Sequence, residues 1–215
     1  VASRGLGDVY KRQDNFAQRF GALEFPRTAI SNIGKAGIIH HESDDDVVKV
    51  IRGNEGWHHD STYMPVQAKG AVFTAEVVPD EGGATGFADM RAGYDALDRK
   101  TKDRIEDLKA HHSLYHSQAK VGHAGKAGSH KDEWDNDQDS DYNGYGFHDG
   151  PISVRPLVKT HPETGKRNLL VGRHAYDIIG MTPDESEALL TELVDFACQA
   201  PRVYNHRWEL GDDVI

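Results

Sequence analysis

Apolar positions along the chain fall into short groups split by Gly, Pro and acidic turns, not into long amphipathic repeats. Phe16, Ala17 and Phe20 recur at helical spacing within 15–20, and Gly21 suits the position just past such a helix. Ile38-Ile39 and Val47 to Ile51 are two short apolar stretches, with the acidic run Glu42 to Asp46 between them as a solvated turn. Gly53 to Gly56 predicts a turn before Trp57. Gly70 to Val78 is apolar and β-branched, stops at Pro79, and predicts a buried strand. After a turn at Asp80 to Gly83, Thr85 to Asp89 predicts a second, shorter strand. Arg91 to Ala110 is rich in helix formers and predicts a helix with Tyr94, Leu97, Ile105 and Leu108 inward.

Periodicity then vanishes. Lys120 to Gly150 is rich in Gly, His, Asp and Asn, and is too long for an ordinary connection. It reads as a variable loop, either a lid or an unstructured insertion. Val154 to Val158 and Asn168 to Val171 flank a turn at Pro162 to Gly165 and predict a hairpin. Thr182, Pro183 and Glu185 are an N-cap, an N1 proline and an N3 acid, opening a helix with Leu189, Leu190, Leu193, Val194 and Ala197 as its stripe. Val203 to Trp208 and Val214-Ile215 predict strands. The expected fold class is mainly β with flanking helices, a sandwich or jelly roll.

Composition narrows the function. The 215 residues carry a net charge of −10, with no basic stripe, so nucleic-acid binding is excluded as a default. No apolar run approaches the ~20 residues that span a bilayer. The single cysteine, Cys198, rules out an intrachain disulfide, reads as a small core residue and fits a reducing, cytoplasmic setting.

Both ends read as non-native boundaries. Ser3 to Gln13 matches the in-frame translation of a sequencing-library adapter, so residues 1–13 are set apart from a domain over 14–215. The last residues, Leu210 to Ile215, form a turn and the start of a strand, which predicts a fragment open at both ends.

Thirteen histidines are present. His40, His41, His111, His112, His116, His123, His130 and His148 lie in polar or helix-end settings and are expected to be solvated. Trp57-His58-His59-Asp60 differs. Residues two apart on a strand share a face, so His58 and Asp60 can offer an imidazole and a carboxylate to one metal while His59 points away. With a distant second His this pattern suits the 2-His-1-carboxylate triad of Fe(II) oxygenases. A zinc hydrolase is less apt, since the two-turn His-Glu-x-x-His signature is missing.

Several segments in order resemble the taurine dioxygenase and 2,4-dichlorophenoxyacetate dioxygenase family. They are Arg19 to Glu24, Asn54-x-x-Trp57-His58-x-Asp60-Ser61-Thr62-Tyr63, Val78-Pro79 through Gly82 to Met90, and Tyr94 to Leu97. Pro156 to Val158 with Thr160 to Pro162 and Gly165-Lys166, then His206 to Trp208 with Gly211-Asp212, continue the series. The resemblance implies a double-stranded β-helix (jelly roll), incomplete here, and an Fe(II)- and 2-oxoglutarate-dependent dioxygenase that hydroxylates a small organic acid with O2, releasing succinate and CO2. The acid would be a sulfonate, an aryloxyalkanoate or a similar carboxylate. His58 and Asp60 would bind iron, and Thr85 the distal carboxylate of 2-oxoglutarate. Asn54 would lie near the substrate and His174 beside its pocket, each with a purely structural role as the equal alternative. The third iron ligand and the 2-oxoglutarate-binding Arg are expected beyond Ile215, so the chain as it stands should bind iron weakly and not turn over. No nucleic-acid or membrane partner is expected, and a homo-oligomer is possible on this reading. The alternatives are a non-catalytic jelly-roll binding module and a different metal-dependent enzyme.

Overall fold

Antiparallel pairing between segments far apart in sequence sets the architecture. The computed structural model describes residues 13–24, 30–33, 37–43, 45–122 and 150–215. The adapter-like residues 1–12 and most of the variable loop lie outside these, as do His123, His130 and His148. After a helical turn at 13–17 come α1 (Asp46–Gly53), β1 (Phe73–Thr74), β2 (Thr85–Ala88), α2 (Met90–Ala96), α3 (Arg99–Ile105), β3 (Lys109–His112) and α4 (Leu114–Ala119). They are followed by β4 (Ser153–Pro156), β5 (Val158–Thr160), β6 (Arg167–Leu169), β7 (Ala175–Ile178), α5 (Pro183–Ala197), β8 (Val203–His206) and β9 (Asp213–Val214). β3 is the centre of a β4–β3–β7 sheet, β5 and β6 form a hairpin about the predicted turn although most of the predicted first strand, Val154 to Pro156, pairs with β3 instead, and β2–β8 and β1–β9 are two further pairs. All of these pairings are antiparallel.

The best-packed region lies where α5 covers β7 and α2 lies on β6. Ile105, Leu157, Leu169, Ile178, Leu189, Leu193 and Ala197 are all buried there. Each fully buried Leu or Ile contributes ~1.5–3 kcal/mol. α5 starts where the sequence predicts: Thr182 Oγ1 accepts from Glu185 N, and the Glu185 carboxylate accepts from Thr182 N at 2.9 Å, a complete capping box. Gly93 lets α2 approach α5, since a Cβ there would stand 2.9 Å from Ala197 Cβ. Cys198 packs against this core, and burial pushes its thiol up to about 11.

Three expectations need correction. The predicted helix over Arg91 to Ala110 is two short helices and a strand. Leu97 turns extended, and Asp98 accepts from Thr101 N at 2.9 Å, so a new helix starts there. The acidic run before Val47 is not merely a solvated turn. Asp45 caps α1 by accepting from Val47 N and Val48 N, and His40 Nδ1 bonds its other oxygen at 2.7 Å. That histidine bond, helped by the two amides, holds Asp45 below the usual carboxylate range against the opposing effect of burial. Gly70 to Val78 forms a strand only at Phe73–Thr74, and only half-buried. Ala75 exchanges bonds with Gly211 and Asp212, where the chain turns into β9, and the ladder ends there.

Two histidines expected in solvent are packed. His112 is 2 % exposed at the β3–β4–β7 crossing, and His116 stacks on Tyr176 with centroids 4.2 Å apart.

Candidate metal centre

His58 and Asp60 lie on irregular backbone, not on the strand their spacing predicts. The two-residue alternation nevertheless holds. His58 Nε2 and Asp60 Oδ1 face each other at 3.2 Å. His59 turns inward to a crevice lined by Thr62, His112, Gly172 and His174. Directly after Asp60 the backbone of Ser61 adopts φ 60°, which few non-glycine residues do. The chain reverses through 60–63.

A loop without a ladder must satisfy its carbonyls by other means. Here side chains from the sheet do so. Arg155 on β4 donates from Nε to Thr62 O at 3.1 Å and from Nη2 to the carbonyls of Met64 and Pro65. Ser153, also on β4, shares its hydroxyl proton between Tyr63 O at 2.9 Å and Met64 O at 3.0 Å. Arg173 donates from Nη1 to Glu55 O and from Nη2 to Ser117 O, and its backbone N–H reaches Trp57 O. Burial lowers the Arg173 pKa.

Two glycines let the loop dock closely. A Cβ on Gly172 would stand 2.9 Å from Trp57 O and 3.0 Å from His58 Cα. A Cβ on Gly86 would meet the Trp57 indole at 2.8 Å. The backbone at His58 is therefore pressed against the β6–β7 connection, while the neighbouring indole rests on β2. Sequence reasoning missed Arg155 and Ser153 as supports, because nothing local in their segment refers to a loop some 90 positions earlier.

The ring of His58 is oriented by Gly56, whose carbonyl accepts from Nδ1 at 2.7 Å. Nε2 is then the free ring nitrogen, and it faces a carboxylate. A lone pair opposite an anion at this distance is stable only with a cation between them, a proton or a metal. Burial disfavours a charged His58, but the Asp60 contact and the Gly56 carbonyl outweigh it, and the His58 pKa is raised. Two donors ~2.1 Å from one metal and at right angles stand ~3 Å apart, close to the observed separation. The pair therefore fits a metal as two of its ligands. Among the described residues no group of three or more His, Cys, Asp or Glu side chains is arranged to hold an ion.

His174 stands behind this pair. Its ring meets His58 edge-on at 5.3 Å and Tyr63 at 4.9 Å, and it is 3 % exposed. Ser117 uses its only proton on Leu114 O, so it accepts from His174 Nδ1 at 2.8 Å. Burial pushes His174 down to about 2, and it is a neutral, fixed wall of the site. Asn54 caps the end of α1, and its Oδ1 accepts from Gln118 Nε2 at 3.4 Å. Thr85 opens β2 opposite His206, and its Oγ1 accepts from Trp208 Nε1 at 2.8 Å. His206 itself bonds Asp212 at 3.0 Å.

Comparison with known proteins gives the family. The sequence profile described as taurine catabolism dioxygenase TauD, TfdA family matches residues 4–215. The (S)-phenoxypropionate/alpha-ketoglutarate-dioxygenase of Sphingobium herbicidovorans is 59% identical over 206 residues, covering 95% of this chain and 68% of that protein. The alpha-ketoglutarate-dependent 2,4-dichlorophenoxyacetate dioxygenase of Cupriavidus pinatubonensis is 32% identical over 226 residues, covering 99% of this chain and 73% of that one. The crystal structure of AAD-2 in complex with Mn(II) and N-oxalylglycine superposes with a TM-score of 0.79 at 35% identity, over 94% of this chain and 68% of that one. N-oxalylglycine is a 2-oxoglutarate analogue, and Mn(II) stands in for Fe(II). Fold and relatives together define a jelly-roll oxidoreductase that depends on Fe(II) and 2-oxoglutarate. The chain belongs to the TauD/TfdA dioxygenase family. Relatives that are dioxygenases by name weigh against both a non-catalytic module and an unrelated metal enzyme.

Proposed function

We propose that the protein holds Fe(II) through His58 and Asp60 and hydroxylates an aryloxyalkanoate, with 2-oxoglutarate and O2 as co-substrates and succinate and CO2 as products. The observation that carries the metal assignment is the His58 Nε2–Asp60 Oδ1 approach at 3.2 Å, with the imidazole locked by Gly56. The 59% identity to a phenoxypropionate enzyme favours an aryloxyalkanoate over a sulfonate. Bound iron would supply O2 activation driven by oxidative decarboxylation of the oxo acid.

The chain's own residues set the stage for this. The clamped loop fixes the two ligands before metal arrives, so little reorganisation is needed. Thr85 would donate to the distal carboxylate of 2-oxoglutarate. The His174 ring would form the inner wall of the substrate pocket, and Asn54 would lie at its edge. His174 stays neutral at physiological pH and carries no charge into that wall. A free, partly buried cysteine supports a cytoplasmic setting. Among the described residues no helix is long and apolar enough to cross a membrane.

The test is turnover by the protein that carries this chain, supplied with Fe(II), ascorbate and 2-oxoglutarate. Succinate should form with 2-phenoxypropionate, together with phenol, because hydroxylation at the ether carbon yields an unstable hemiketal. Succinate with taurine but not with any aryloxyalkanoate would overturn the substrate class. No succinate with either would overturn the enzymatic reading.

A further inference from the structure

The Thr85 hydroxyl is part of a relay that reaches to Asp212, in the turn before β9. Asp212 accepts from Glu209 N at 2.9 Å and bonds His206 Nε2 at 3.0 Å. His206 Nδ1 lies 3.3 Å from the Tyr204 hydroxyl, so both ring nitrogens are engaged. The Trp208 indole meets the His206 ring edge-on, with centroids 4.5 Å apart and planes at 90°. Its Nε1–H, a donor only, points at Thr85 Oγ1 at 2.8 Å. The β2–β8 ladder pairs Thr85 with His206 directly, so the relay is anchored on backbone at both ends.

A threonine hydroxyl has one proton and two lone pairs. Left alone it rotates and can present either. Trp208 occupies a lone pair, and among the described residues no side-chain or backbone acceptor takes the Thr85 proton. With that lone pair taken, the proton is left to be donated to an incoming acceptor. A carboxylate only accepts, so a donor held in advance is the arrangement that recognises one. We infer that Trp208 is a positioning residue for 2-oxoglutarate: it acts through Thr85, by holding the hydroxyl oxygen and occupying one of its lone pairs so that the proton is offered to the distal carboxylate. The inference rests on the role proposed above for Thr85.

Trp208→Phe keeps the aromatic face and removes only the N–H. In the protein loaded with Fe(II) under anaerobic conditions, affinity for 2-oxo acids is read from the visible absorption of the chelate and, with Mn(II) in place of iron, by calorimetry. Trp208→Phe should weaken 2-oxoglutarate about 3- to 10-fold, the range for loss of one supporting hydrogen bond. Pyruvate, which shares the chelating end and lacks the distal carboxylate, should bind with unchanged affinity. Thr85→Val should cost more than Trp208→Phe, and the double variant should be no weaker than Thr85→Val alone. In turnover, KM for 2-oxoglutarate should rise while kcat is kept. Equal affinity of wild type and Trp208→Phe for 2-oxoglutarate overturns the inference, as does an additive double variant or an equal loss for pyruvate. Should Trp208→Phe fail to fold, Thr85→Ser decides. It keeps the hydroxyl and should bind within about 3-fold of wild type, whereas a Thr85→Val-like loss overturns the polarity argument. A wild-type protein that binds no 2-oxo acid overturns the functional reading and this inference with it, whereas wild-type binding with an unaffected Trp208→Phe overturns this inference alone.

Discussion

The α5–β7 core and the loop at 54–64 achieve order by opposite means. In the core, apolar side chains at regular spacing bury themselves, and the backbone satisfies its own hydrogen bonds in helix and ladder. In the loop the backbone makes no ladder, and polar side chains from elsewhere hold its carbonyls: Arg155 and Ser153 from β4, Arg173 from the β6–β7 connection. The core is a scaffold whose stability is spread over many contacts. The loop is a carrier whose geometry depends on a few long-range bonds. Substitutions should therefore separate stability from metal affinity.

The largest stability loss is expected in the core. Leu193→Ala, at a site 1 % exposed, should cost ~2–5 kcal/mol in denaturant unfolding while leaving the metal affinity of the folded protein unchanged. Arg155→Met should show the reverse balance. A charged hydrogen bond is worth at most ~1.5–3 kcal/mol, and these hold a partly solvated loop whose carbonyls can turn to water instead, so global stability should fall by only ~2 kcal/mol in all. Mn(II) affinity should fall ~10-fold or more, as for supports of other metal ligands. Equal metal affinity in the two variants would erase the distinction between scaffold and carrier.

Between these lies an acid sensitivity of the buried wall. Burial, with Arg155 adding to it, pushes His112 down to about 3, and neither of its ring nitrogens has a partner among the described residues. The folded state keeps His112 neutral while the unfolded chain takes up a proton near ~6.5. Stability should therefore be intact above ~6.5 and fall as pH drops below it, by ~2 kcal/mol at pH 5. His112→Leu should remove one proton's worth of that slope. An unchanged slope would contradict the burial. The smallest effect is at the α5 cap, where Thr182→Ala should cost ~1 kcal/mol and leave metal binding alone.

The same contrast explains what could be read in the sequence. The α5 start, β2, β8 and the hairpin at β5–β6 are each set by neighbours within a few residues, and their pattern is visible. That His58 and Asp60 face each other was legible because a two-residue alternation survives on irregular backbone. The caps Asp45 and Asp98 were also local, but their segments carried competing signals: an acidic run in one, an unbroken series of helix formers in the other. The burial of His112 was not legible, because it depends on which strands flank β3. The Arg155 clamp and the Trp208–Thr85 bond join residues far apart in sequence, and no periodicity encodes them.

The most direct test of the central claim, that this loop presents two ligands to one metal, is an Mn(II) titration followed by electron paramagnetic resonance. Wild type, His58→Ala and Asp60→Ala would be compared at a pH above the raised His58 pKa. The account predicts saturable binding by wild type and its loss in both variants, with circular dichroism unchanged. Binding by either variant with wild-type affinity would contradict it.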